Sequence, residues 1–104
     1  MSYILTLQFD GHTLADYDQL IEFEDRLSEV LADGDFVDGH DMGSHEMNHF
    51  IVTETPHDAF QRIMNSNPEL RTRIDLKAAF READGEEYTV LWPESLRGSF
   101  KTSE

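Results

Sequence analysis

Residues 36–54 read FVDGHDMGSHEMNHFIVTE, and this stretch decides the fold. Residues 36–42 and 47–54 are two runs of strand-forming character, separated by the polar tetrad Gly-Ser-His-Glu at 43–46. Two such runs around a short polar loop that contains Gly are typical of a β-hairpin. A helical pattern lies on each side, so the hairpin is predicted to connect two helices.

The two flanking helices are predicted from apolar periodicity and from their start signals. Residues 16–31 place apolar side chains on one stripe and acidic side chains on the opposite face, with Asp16 as the expected N-cap. Residues 56–65 follow a capping-box start, in which Thr55 is the expected N-cap and Asp58 closes the box.

Three further strands are predicted outside the helices, over residues 3–9, 74–82 and 87–92. The order β-α-β-β-α-β-β predicts an α+β fold, a ferredoxin-like split βαβ sandwich with two helices on one face of a five-stranded antiparallel sheet. The fifth strand is expected beside the fourth, which gives the spatial order 5-4-1-3-2. Residues 1–93 then form a single domain, and residues 94–104 are expected to be a flexible tail.

The hairpin register predicts which side chains face the helices. With residues 43–46 as the loop, His40 lies opposite His49, and Gly39 lies opposite Phe50 and leaves room for its ring. The helix-covered face of the hairpin is then expected to carry Val37, Gly39, Phe50 and Val52. The open face is expected to carry Asp38, His40, Met42, Met47, His49, Ile51 and Thr53. The predicted core comprises Leu5, Leu7, Leu20, Leu27, Val37, Phe50, Val52, Phe60, Ile63, Leu76 and Phe80.

A polar cluster in the hairpin is the candidate chemical site. His40 and His49, opposed on the open face, are candidates for two imidazole ligands of a metal ion, or for a general acid and base. Asp38 or Glu46 would add a carboxylate, and His45 would reach in from the loop. The alternative is a set of solvated side chains, because the segment shows none of the established metal-binding spacings.

Asp41 and Asn48 face each other near the turn of the hairpin in this register. They are expected to point to the core side and to bind backbone groups of the loop, as Asp and Asn side chains commonly do. A ligand-binding or partner-binding role for this pair is the alternative.

The charge of the chain is segregated. The chain carries 22 Asp and Glu residues against 8 Lys and Arg residues, a net charge of −14, and residues 1–61 hold 14 of the acids with Arg26 as their single base. The first helix is predicted to present an acidic face made of Asp18, Glu22, Asp25 and Glu29. Such a field favours a basic protein surface as partner and disfavours nucleic acid and anionic membranes. The alternative is that the acidic face serves general solubility and has no partner.

The composition limits the chemistry and the cellular compartment that we expect for the protein. The chain has no Cys, which excludes disulfides and thiolate chemistry. No basic segment with an apolar run precedes the first strand, and no apolar run is long enough to span a membrane, so we expect a cytoplasmic protein. No cofactor is expected.

The segments DGHDMGSHEMNHFIVTETP and EEYTVLWPE resemble a group of small, acidic, uncharacterised bacterial proteins of βαββαβ(β) layout. Their hairpin carries the pattern DGHDxGSxExNxF, and the likeness extends over most of the chain. The resemblance implies the ferredoxin-like fold and no particular activity. Ferredoxin-like domains in general include immunity proteins, small-molecule sensors and dimeric enzymes, which is an analogy of fold alone.

Three functions are open on this basis. The first is an acidic binding module of the immunity or inhibitor type, directed at a basic partner surface. The second is a metal-dependent or small-molecule site around His40 and His49. The third is a homodimer formed through an apolar patch on the open sheet face, comprising Ile4, Met42, Met47, Ile51, Ala79 and Leu91. The unbalanced acids and the lack of a convincing catalytic set favour the first, and a binding protein over an enzyme.

Overall fold

A computed structural model of the chain describes residues 2–10, 14–42, 46–72 and 75–93. The expected tail at 94–104 and His45 lie outside the described residues. Seven helices and strands follow one another in the described part, together with a short 3-10 turn at Pro68–Thr72. They are β1 (Tyr3–Asp10), α1 (Leu14–Val30), β2 (Phe36–Met42), β3 (Glu46–Thr53), α2 (Pro56–Ser66), β4 (Lys77–Glu82) and β5 (Thr89–Trp92).

The five strands form one antiparallel sheet in the order β2-β3-β1-β4-β5. One face of this sheet packs against both helices. The strands contribute Leu5, Leu7, Phe9, Met47, Ile51 and Ala78 to the core, and the helices contribute Phe23, Leu27, Ala59, Phe60, Ile63 and Met64. The α+β fold, the ferredoxin-like layout and the predicted strand order are therefore confirmed.

The helix boundaries differ from the prediction at one end. α1 begins at Leu14, so Asp16 lies inside its first turn and the N-cap assignment was wrong. An acidic residue is favourable both at the cap and in the first turn, because both positions lie at the positive end of the helix dipole. α2 begins at Pro56, as predicted, with Thr55 at the N-cap position.

The hydrogen bonds at the two ends of α2 differ from the predicted capping box. The Thr55 side chain makes no capping hydrogen bond, so the expected capping box does not form. Instead, the Thr55 backbone N–H donates to the Thr53 hydroxyl over 3.0 Å. At the other end, the Asn67 side chain donates to the Ile63 carbonyl oxygen, also over 3.0 Å, and this bond satisfies a carbonyl group in the last turn.

The last two strands of the chain are shorter than predicted. β4 begins at Lys77 rather than at residue 74, and β5 begins at Thr89 rather than at residue 87. Leu76, just before β4, is nevertheless buried, and Ala78 follows it into the core, as the alternation in this strand predicted.

Between Gly39 and Met42 the pairing of the hairpin strands was predicted correctly, but beyond Gly39 it shifts by one residue, and the faces of β3 were inverted. His40 lies opposite His49, and Gly39 lies opposite Phe50. However, β3 also pairs with β1, and there Leu7 lies opposite His49 and Leu5 opposite Ile51. Opposed residues share a face, and Leu5 and Leu7 belong to the core, so His49 and Ile51 point at the helices.

The inversion removes two residues from the predicted core and adds three others. Phe50 and Val52 are half-buried on the face away from the helices, and Met47, His49 and Ile51 take their place in the interior. Leu5, Leu7, Leu27, Phe60, Ile63 and Leu76 are buried as predicted. Val37 and Phe80 are half-buried and pack against the core. The side chain of Leu20 lies outside the described part.

A β-bulge in β2 accounts for the rest of the difference. Val37 pairs with Ile51, whereas the next residue with a partner is Gly39, so Asp38 is the extra residue of the bulge. Gly39 has a φ of +140°, and a Cβ at this position would meet no atom within 4 Å. Gly39 is therefore required for its backbone conformation, and the expected role of making room for the Phe50 ring was wrong.

Candidate functional site

The polar cluster of the hairpin is divided between the two faces of the sheet. His40 and His49 share a face, but it is the helix-covered face and not the open one. Asn48 and Asp41 lie on the opposite face, so their expected orientation towards the core was wrong. Asp38 lies exposed at the bulge. The cluster therefore does not form the single site that the sequence suggested.

His49 is a core residue. It is 1% exposed, and its ring centroid lies 5.0 Å from that of Phe23 and 6.0 Å from that of Phe9, edge to face in both cases. Its Nδ1 atom is buried without a hydrogen-bond partner. Burial, together with a smaller repulsion from His40, lowers the pKa of His49 to about 4. The imidazole is therefore neutral at physiological pH and closed off from solvent.

His40 connects the edge strand to the first helix. Its Nδ1 atom lies 2.9 Å from Oε2 of Glu24, and both side chains are half-buried. The contact is a hydrogen bond with a neutral imidazole and an ion pair with a protonated one. Glu24 was not predicted from the sequence, although its position gave a signal: it falls three residues before Leu27, at the border of the apolar stripe of α1.

The described residues do not support a metal centre at these histidines. Nowhere in the described ranges do three or more His, Asp or Glu side chains come together in an arrangement that could hold a metal ion. The buried position of His49 also contradicts a ligand pair that is open to solvent. The expected ion site on an open face, with Asp38 or Glu46 as a third ligand, was therefore wrong in its geometry.

A network of amide and carboxylate groups joins β3 to β1 on the other face of the sheet. The Asn48 and Gln8 side-chain amides both donate to Oε2 of Glu46, over 2.8 and 2.9 Å. Gln8 also donates to Oδ1 of Asn48 over 3.1 Å. Asn48 is fully buried, and these bonds satisfy its amide in place of the loop backbone that was expected.

Gln8 is a second residue that the sequence analysis missed. It is the only amide side chain of β1, and the strand register places it opposite Asn48. The network fixes the carboxylate of Glu46 and ties the hairpin to the central strand, which is a structural role.

The acidic face of α1 is present as predicted. Asp18, Glu22, Asp25 and Glu29 are all exposed. The single base of the helix, Arg26, places its guanidinium carbon 5.7 Å from the ring centroid of Phe23. α1 packs beside β2, where Asp38 and Asp41 are also exposed. The helix and its neighbouring edge strand thus both present carboxylates to solvent.

The apolar patch suggested for a homodimer does not exist in the expected form. Met47 and Ile51 are core residues, and Ala79 is fully buried. Leu91 packs against the core rather than standing out from the sheet. Dimerisation itself stays a prediction, without the surface that motivated it.

Comparison of the chain with models of known protein families, with curated proteins and with solved structures gives no match. The resemblance to small acidic bacterial proteins therefore stays a prediction. None of the helices in the described ranges is long and apolar enough to cross a membrane.

Proposed function

We propose that this chain is a small acidic binding module of the cytoplasm, which recognises a basic surface of a partner protein in the manner of an immunity or inhibitor protein. The observation that carries the proposal is the exposure of all four carboxylates of the acidic face, Asp18, Glu22, Asp25 and Glu29. Carboxylates that face solvent on one side of a helix are available to a partner.

The charge pattern of α1 also supports the proposal, because it does not serve the helix itself. Of the three charged pairs at a spacing of i,i+4, two are repulsive, Asp18 with Glu22 and Asp25 with Glu29, and one is attractive, Glu22 with Arg26. Each repulsive pair costs a helix about 0.2–0.5 kcal/mol. A pattern that weakens its own helix is explained if the charges contribute to association with a cation-rich surface.

Two variants with the same change of charge test the proposal. The helix-neutral variant carries Asp18→Asn, Glu22→Gln, Asp25→Asn and Glu29→Gln. The hairpin-neutral variant carries Glu82→Gln, Asp84→Asn, Glu86→Gln and Glu87→Gln, all of which are exposed positions of the β4–β5 hairpin. Both variants lose four negative charges, so a difference between them reports position rather than net charge.

The experiment is a pull-down from a lysate of the source organism with each immobilised protein, at low and at high salt. We expect the wild type and the hairpin-neutral variant to retain the same basic protein at low salt, and the helix-neutral variant to lose it. High salt should release the partner, since exposed charges are screened beyond about 8–10 Å at physiological ionic strength. Retention by the helix-neutral variant, or no basic partner for the wild type, would contradict the proposal.

Stability provides the control for this experiment. Neutralisation removes two repulsive pairs and one attractive pair, Glu22 with Arg26, so the helix-neutral variant should stay within about 0.5 kcal/mol of the wild type in stability. Loss of the partner by a protein that is not destabilised cannot be attributed to unfolding.

A further inference from the structure

We propose that the chain has a second binding site, which takes the ammonium or guanidinium group of an organic cation. It lies at the end of the sheet where β1 begins and β4 turns towards β5. A cavity of about 370 Å³ opens to solvent there. Its chemistry comes from two aromatic rings, three carboxylates and one bound arginine, namely Tyr3, Phe80, Glu82, Glu86, Glu87 and Arg81. This site is separate from the acidic face of α1.

The aromatic walls are the first argument. The rings of Tyr3 and Phe80 both line the cavity and are in edge-to-face contact, with centroids 5.6 Å apart and planes at 86° to each other. Phe80 is also packed against the ring of His57, with centroids 5.2 Å apart. Aromatic rings attract organic cations through the negative potential of their faces, so rings that line a cavity favour such a ligand.

The carboxylates are the second argument. Glu82, Glu86 and Glu87 line the cavity and are exposed, against a single lining base, Arg81. The lining therefore holds two more acids than bases. A cation is attracted both by this excess of negative charge and by the aromatic rings. A neutral ligand of the same size could only donate hydrogen bonds to the carboxylates, and an anionic ligand would be repelled by them.

Arg81 holds the cavity in shape rather than opposing the ligand. Its Nη1 atom donates to the carbonyl oxygens of Glu82, Ala83 and Gly85, over 3.1, 3.0 and 3.0 Å. These bonds fix the turn after β4, which leads into the segment with Glu86 and Glu87. A site whose walls are fixed before binding loses less entropy when the ligand arrives.

The dimensions favour an organic cation over a metal ion. A cavity of about 370 Å³ lies within the range of about 300–1,000 Å³ that is usual for small-molecule sites. The described residues include no group of three metal-ligating side chains here or elsewhere in those ranges. The cationic group of the ligand could belong to a free amine or to an arginine side chain of a protein.

NMR titration of the labelled protein tests the site and separates these two sources. The probes are n-butylammonium, the tripeptide acetyl-Gly-Arg-Gly-amide, and the same tripeptide with the neutral isostere citrulline. We expect saturable shifts of the Gly85 and Thr89 amides with a cationic probe and much weaker binding of the citrulline peptide. Binding of n-butylammonium identifies a free amine as a competent ligand, and binding of the arginine peptide without binding of n-butylammonium identifies the guanidinium group of a protein side chain.

The variants defined above serve as matched controls. The hairpin-neutral variant should bind the cationic probe at least about tenfold more weakly, because it loses all three carboxylates that line the cavity. Tyr3→Leu should weaken binding by about two- to fivefold, in line with an exposed cation–π contact. The helix-neutral variant should bind the probe as the wild type does, whether or not it has lost the protein partner.

Three results would overturn the proposal. These are no saturable shift at Gly85 and Thr89 with either cation, equal binding of the citrulline peptide, or equal weakening by the helix-neutral and hairpin-neutral variants. None of these results bears on capture of the basic partner by α1, which is measured separately.

Discussion

His49 should make the stability of the protein depend on pH. In the unfolded chain its imidazole has the ordinary pKa near 6.5, whereas burial lowers the pKa to about 4 in the folded state. Between these two values, the unfolded state binds a proton that the folded state excludes. The contribution of His49 is therefore fully present above about pH 6.5, and it is lost progressively as the pH falls towards about 4.

The magnitude follows from the size of the shift. A lowering from 6.5 to about 4, at about 1.4 kcal/mol per unit, corresponds to about 3 kcal/mol of unfolding free energy. A small domain has only about 5–15 kcal/mol in total, so the loss should be easy to measure. Below about pH 4 the folded state also takes up the proton, and the contribution becomes constant.

Urea unfolding between about pH 7.5 and pH 4.5 measures the effect, with His49→Phe as the comparison. The variant cannot titrate, and it removes a buried nitrogen that has no hydrogen-bond partner. Other carboxylates also take up protons towards the acidic end, but they do so in both proteins. The difference in unfolding free energy between variant and wild type should therefore grow by about 2–3 kcal/mol as the pH falls.

The exposed His57 provides the matched control. His57→Gln also removes an imidazole, but from an exposed position of α2, so it reports the effect of losing an imidazole outside the core. Curves for His49→Phe and the wild type that run parallel over the whole range would refute the assignment of His49 as a buried, neutral core residue.

Two further predictions concern the hairpin and are also measured by urea unfolding. Ile51→Thr should cost about 2–4 kcal/mol, because Ile51 is fully buried, whereas Phe50→Thr on the other face should cost only about 1 kcal/mol. A larger loss of stability for Phe50→Thr than for Ile51→Thr would mean that Phe50, and not Ile51, faces the helices. Gly39→Ala should cost about 1–2 kcal/mol from its φ of +140° alone, since the new methyl group meets no neighbour; an unchanged stability would remove the backbone role of Gly39.

Local signals in the sequence were sufficient to predict the order of the helices and strands. Pro56 marked the start of α2, and the polar tetrad at 43–46 fixed the hairpin register as far as Gly39. These features depend on neighbours in the chain, which is why pattern and turn chemistry could predict them. The strand order then followed from the known layout of a split βαβ unit.

The faces of the hairpin could not be predicted in the same way. In β3 one phase carries Met47, His49 and Ile51, and the other carries Asn48, Phe50 and Val52, so each phase has one polar and two apolar side chains close to the centre. Apolar periodicity alone cannot choose between two such phases. The choice depends on the pairing of β3 with β1, which joins residues far apart in the chain.

The candidate site was mispredicted for the same reason. Once the faces are inverted, His49 moves into the core, and His40 meets Glu24 of the helix instead of solvent. The bulge at Asp38 was also missed, although an isolated Gly in a strand, here Gly39, is a recognised signal for one. The acidic face of α1 was predicted correctly because exposure on a helix follows from its own periodicity.

The most direct test of the account is the rate at which the basic partner associates with the wild type and with the two neutralised variants, measured over a range of salt concentrations. For the wild type and the hairpin-neutral variant, we expect a fast association rate that falls steeply with salt, as charge-steered encounters do. The helix-neutral variant should associate more slowly and with a weaker dependence on salt, although it keeps the other exposed carboxylates of the chain. An equally steep salt dependence in the helix-neutral variant would contradict the claim that the acidic face of α1 recognises the partner.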